Sequence, residues 1–92
     1  LHVPLIVVCG HRDCGAVTAA FDHMGELPEN LEKTIQLISK SIEGYPNIEI
    51  AEAAHVLHMA ELIRENPVVE KAGTLVVEAY YDLSTGHVHW ME

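Results

Sequence analysis

The chain is poor in positive charge, in cysteine and in long apolar runs. Five Lys and Arg stand against fourteen Asp and Glu, a formal net charge of −9. No basic patch can form from so few cations, which excludes nucleic acid and an anionic membrane surface as partners. The longest apolar run, Leu5 to Cys9, is far below the roughly twenty residues needed to span a bilayer. The opening "LHVP" has no charged segment ahead of an apolar core, so a secretory leader is not expected. It has no initiator Met either, and the chain is expected to start inside a longer protein. Cys9 and Cys14 are too few for a disulfide framework. Lying on either side of His11, they favour metal or redox chemistry in a reducing, cytoplasmic setting.

What is present is a hydrophobic fraction of 49% in 92 residues, enough for one small domain or part of one. The whole of 1–92 is read as a single partial α/β domain. Leu5-Ile-Val-Val-Cys9, rich in β-branched residues and ended by Gly10, predicts a strand buried on both faces, as in a parallel sheet. Ala16 to Met24 predicts a small-residue helix stopped at Gly25, with Asp13 as a candidate cap. After Pro28, Leu31, Ile35, Ile38 and Ile42 fall on one helical stripe, with Gly44 near its C-terminal end. Asn47 is placed to cap a third helix running to about Asn66, where Pro67 marks the boundary. Leu75 to Tyr81 then predicts a second apolar strand, Asp82 to Gly86 a turn, and His87 to Met91 an antiparallel edge strand.

The order β-α-α-α-β-β contains an anomaly. A strand as apolar as the first belongs in the middle of a sheet, yet the chain offers it one neighbour. Its other flank would be a bare hydrophobic edge, which native proteins avoid. That edge is expected to be covered by strands outside this sequence or by another chain.

The chemistry concentrates in "VVCGHRDCGAV", residues 7 to 17. His11 and Cys14 directly follow a strand end, where open α/β sheets bind ligands, and Cys14 opens a helix. A cysteine in the first turn of a helix has its thiolate favoured by the macrodipole. Imidazole nitrogen with thiolate sulfur suits zinc, and Gly10 and Gly15 fit a tight turn that brings both ligands together. Two ligands fall short of the three or four that a zinc site takes. Cys9 could turn to the same side, but within an apolar strand it reads as a buried structural cysteine.

Other patterns are weaker. Gly10 and Gly15 have the glycine spacing of a phosphate loop, but Ala16-Val17 stands where Lys and Ser/Thr are required. Cys9 and Cys14 lack redox C-x-x-C spacing. His55 and His58, at i and i+3 on the third helix, read as surface or interface residues, and His87 and His89 as solvent-facing. Glu78, inside an apolar strand, must lie near an edge or have a partner.

"VPLIVVCGHRDCGAVTAA" resembles the second zinc-ligand segment of the β-class carbonic anhydrases: a buried strand, G-H-x-x-C-G-A, then a small-residue helix. "HVLHMAELIRENPVV" and "GTLVVEAYYDLSTGHVHW" are similar to the helix and the last two strands that follow in that family. The resemblance implies reversible zinc-dependent hydration of carbon dioxide to bicarbonate, by a water made acidic by the metal. It implies His11 and Cys14 as metal ligands. The family's first ligand segment, C-x-D-x-R, has no match here, so the resemblance assigns no catalytic residue to this chain and implies that it is inactive alone. A homo-oligomer, or pairing with a missing N-terminal half, is the partnership implied. The alternative is a degenerate, non-catalytic relative that acts through oligomer or protein interaction.

Overall fold

The computed structural model describes residues 3–22 and 27–91. The elements run β1 (Leu5–His11), α1 (Gly15–Phe21), α2 (Glu29–Ser41), α3 (Ile48–Glu65), α4 (Pro67–Ala72), β2 (Leu75–Asp82) and β3 (His87–Met91). The sheet order is β1-β2-β3, with β1 parallel to β2 and β3 antiparallel to β2. This is the expected α/β arrangement, a partial parallel sheet with an antiparallel edge strand and flanking helices.

Register fixes which side chains share a face. Val8 stands beside Glu78 and Gly10 beside Tyr80, while Val7 stands beside Val77 and Cys9 beside Ala79. The first set meets α3; the second faces away from it. The helices make their own core beside the sheet, where Val17 and Ala20 of α1, Ile38 of α2, the adjoining Ile42 and Ala51 of α3 are buried together. Burial there depends on small residues: Ala51 and Ala60 are fully enclosed, which lets α3 lie close to its neighbours.

Local chemistry accounts for the ends of the elements. The Asn47 side chain accepts the Ile50 N–H at 2.9 Å and starts α3 as expected. Asn66 accepts the Val68 N–H at 3.0 Å and starts a further short helix, α4. Pro67 therefore opens a helix as well as closing one, because the first helical position needs no N–H. Gly73 ends α4 at a left-handed φ of 70°, a conformation that suits a residue without a Cβ. At the β2–β3 turn, Asp82 accepts from the Ser84 N–H at 2.9 Å and its hydroxyl at 2.6 Å. These bonds hold the Asp82 carboxyl below the usual range.

Several expectations are corrected. β1 is an edge strand whose odd-numbered residues are exposed and whose even-numbered ones are half-buried, so it is not covered on both faces. Leu31, placed on the apolar stripe of α2, is exposed, whereas Ile38 and Ile42 of that stripe are buried. The first helix is described to Phe21; its expected end at Met24 and Gly25 lies outside the described residues. Asp13 does not cap it, since Cys14 occupies the cap position and receives no side-chain cap of that kind.

Candidate metal centre

β1 ends at His11, two residues of turn follow, and Cys14 begins α1. The reversal rests on Asp13, whose φ of 59° is left-handed; aspartate tolerates this region better than most residues. Gly10 and Gly15, expected to carry the turn, do not have positive φ. Gly10 is required for another reason: a Cβ there would overlap Cγ2 of Val56 on α3. Its missing side chain lets the helix sit against the strand immediately before the site.

His11 and Cys14 line one cavity of about 220 Å³ at the carboxyl end of β1, with Cys9, Glu52, His55 and Val56 among the other walls. His11 Nδ1 lies 3.1 Å from the Arg12 carbonyl oxygen. As the donor in that contact, Nδ1 carries the proton and Nε2 keeps the lone pair a metal would use. Cys14 is half-buried against the helical core, and both cysteines are unbridged. Cys9 is exposed, not buried as expected, because it lies on the face of β1 turned away from α3. The donor set thus fits zinc as part of a site. Among the described residues, no three His, Cys, Asp or Glu side chains are grouped so that they could hold a metal ion.

The residue that sequence reading missed is Glu52. It is only 3% exposed, and its two oxygens accept from the Cys14 backbone N–H at 3.0 Å and from the Tyr80 hydroxyl at 3.2 Å. Burial, and then the charge of Glu52, push the Tyr80 phenol up to about 12, so it remains a donor at neutral pH. A signal was available: Glu52 precedes Val56 by one helical turn and shares its buried stripe.

His55 is also more than a surface residue. Ser41 Oγ donates to the Ile38 carbonyl at 2.8 Å and so accepts from His55 Nδ1, also at 2.8 Å. Burial lowers the His55 pKa, and neighbouring His58 lowers it further. Glu78 has its partner in Arg64 of α3, which also donates to the Val76 carbonyl at 2.8 Å. Arg12 pairs with Glu49 at 3.3 Å, but both are largely exposed and the pair contributes little. His87 and His89 are exposed on β3, with ring centroids 4.4 Å apart. A larger cleft of about 590 Å³ is bordered by Phe21, Ser39, Lys40 and Tyr45, and among the described residues no histidine or cysteine lines it. No described helix is long and apolar enough to cross a membrane.

Comparison with known proteins places the fold. The family model described as carbonic anhydrase matches residues 1–88. A tetrameric β-carbonic anhydrase from the filamentous ascomycete Sordaria macrospora superposes with a TM-score of 0.80 at 18% identity, over 97% of this chain and 52% of that one. The β-carbonic anhydrase CcaA gives 0.70 at 20% identity, over 97% and 47%. The wild-type β-carbonic anhydrase CafD from the filamentous fungus Aspergillus fumigatus gives 0.61 at 17%, over 96% and 57%. No curated protein matches the chain. The chain spans about half the length of these solved structures, and at such identities the likeness establishes the fold. With the family match running over nearly every residue, the chain belongs to the carbonic anhydrase family and has the β-class fold.

Proposed function

We propose that this chain is the C-terminal half of a zinc carbonic anhydrase, with His11 and Cys14 as two of the metal ligands. The other ligands come from polypeptide that pairs with the free edge of β1, either a preceding half or another subunit. The observation that carries this reading is the cavity shared by His11 and Cys14 at the end of β1. Zinc, when bound, supplies the Lewis acidity that activates water for reversible hydration of carbon dioxide to bicarbonate. The chain's own residues bind and exclude. His11 presents Nε2 while its Nδ1 is engaged with Arg12. Cys14 supplies sulfur, and Val8, Val17, Val56 and Met59 form an apolar wall suited to an uncharged gas. With two ligands and no Asp–Arg pair, residues 1–92 act as one partial domain without activity of their own, in a cytoplasmic setting.

The test measures zinc content and the rate of carbon dioxide hydration. It compares the 92-residue chain with the same chain extended at its N-terminus by a polypeptide bearing C-x-D-x-R. The short chain should hold far less than one zinc and show no hydration. The extended chain should hold one and be active, and His11→Ala should abolish both. Activity in the short chain overturns the ligand count. A folded, zinc-free and inactive extended chain overturns the enzymatic reading and favours a non-catalytic module that works through protein pairing.

A further inference from the structure

We propose that Glu52 is a positioning residue whose carboxylate anchors the backbone of Cys14 to α3 and β2. The proposal rests on the reading of Cys14 as a metal ligand and adds the part that holds it in place. Cys14 is the first residue of the turn into α1, where N–H groups have no partner within the helix. Its own turn supplies none: there is no side-chain cap and no acidic residue in the first turn of α1. Glu52 supplies the acceptor from another helix, distant in sequence, at 3.0 Å. Its second oxygen is taken up by Tyr80 of β2, so the carboxylate is held at both ends and cannot swing away from the loop.

Such a group is not needed for packing. Burying a carboxylate is costly unless it is fully hydrogen-bonded. The neighbouring buried positions of α3, Ala51, Val56 and Ala60, are filled by apolar side chains. An apolar residue of similar volume at position 52 would fill the same space without the cost of burying a carboxylate. What it could not do is accept the Cys14 N–H. Fixing that N–H fixes the first bond from which the thiol projects, and the same cavity contains both Glu52 and Cys14. Gly10, the register partner of Tyr80, lets α3 approach closely enough for the bridge to close.

The experiment uses, for wild type and variants alike, the chain extended at its N-terminus by the polypeptide bearing C-x-D-x-R. The ligand set is complete in that chain, and two quantities are read. Hydrogen exchange at the Cys14 amide, followed by NMR without metal, reports the anchor. The thiolate-to-cobalt charge-transfer band, followed during titration with cobalt(II), reports the ligand. Glu52→Ala should speed exchange at Cys14 about tenfold and weaken cobalt binding by a similar factor, with Val56 and Ala60 amides unchanged. Glu52→Gln should restore both, since its amide oxygen still accepts the N–H and its NH2 group can donate to Tyr80. If Glu52→Ala does not fold, Tyr80→Phe carries the test and should loosen the Cys14 amide several-fold without changing α3. Equal exchange in wild type and variant, or unchanged cobalt affinity, overturns the proposal. A protected Cys14 amide in a wild-type chain that gives no thiolate band overturns the ligand assignment, and with it the purpose given to Glu52.

Discussion

The two faces of the sheet are built from the same strands and have opposite fates. On one, Val76 and Glu78 are buried under α3, Arg64 reaches down to Glu78, and Val56 rests on Gly10. On the other, Leu5, Val7 and Leu75 are 47%, 41% and 61% exposed, and Trp90 on β3 is 63% exposed. Only small Ala79, between its register partners Cys9 and Trp90, is buried there. The open face is as apolar as the closed one, so composition does not separate them. The difference is that one face has a helix from this chain to meet it. The closed face also carries polar anchors, Glu52, Glu78 and Arg64, each with partners; these fix where α3 lies and therefore the geometry at Cys14.

The sharpest way to break the contrast is to push α3 off its face. Gly10→Ala should destabilise the chain by about 2–3 kcal/mol in urea unfolding, because the new methyl overlaps stiff, β-branched Val56. Val56→Ala should cost about 2 kcal/mol through its cavity. The double variant should be more stable than the sum of the two, since each relieves the other. A strictly additive pair would show that the helix approaches Gly10 less closely.

A gentler perturbation titrates the closed side. His55 has a folded pKa below its ordinary 6.5, so the unfolded chain takes up the proton more readily. Its contribution is fully present above pH 6.5 and is lost as pH falls through the lower folded value. Thermal midpoints should therefore drop between neutral pH and mildly acidic pH, and His55→Gln should flatten that part of the profile.

The smallest effect belongs to the open face. Val7→Thr and Trp90→Ser should change the stability of the isolated chain by no more than about 0.5 kcal/mol, as at ordinary surface positions. The same changes should reduce concentration-dependent association in sedimentation, because exposed apolar area is what a partner would cover. A loss of several kcal/mol at either position would show that this face already has cover within the chain.

Much of this was legible from residue order. The apolar run of β1, the Asn47 cap and the turn after Asp82 gave element types and near-correct ends, because each is local chemistry. The H-x-x-C pair at a strand end marked the candidate site for the same reason. Three things were not legible. Pro67 read as a breaker, since its role at the start of a helix is visible only once Asn66 is seen to cap it. Continuous hydrophobicity in β1 implied two covered faces, but sequence does not reveal whether the second cover lies in the same chain. The role of Glu52 does not follow from its place one turn before Val56, because carboxylates are usually solvated and its partners Cys14 and Tyr80 are remote in the chain.

The parallel ladder joins residues near opposite ends of the polypeptide: Leu75 N–H donates to the Pro4 carbonyl at 3.0 Å and Thr74 Oγ1 to Val3 at 2.7 Å. Contacts this distant in sequence come at a high loop-closure cost and form late. The helices between them can collapse first around Val17, Ile38 and Ala51, from contacts closer in sequence. His11, at the end of that ladder opposite Tyr81, takes its place only when the ladder closes. Loss of the β1–β2 pairing would therefore release the strand end that carries His11 before it released the helical nucleus.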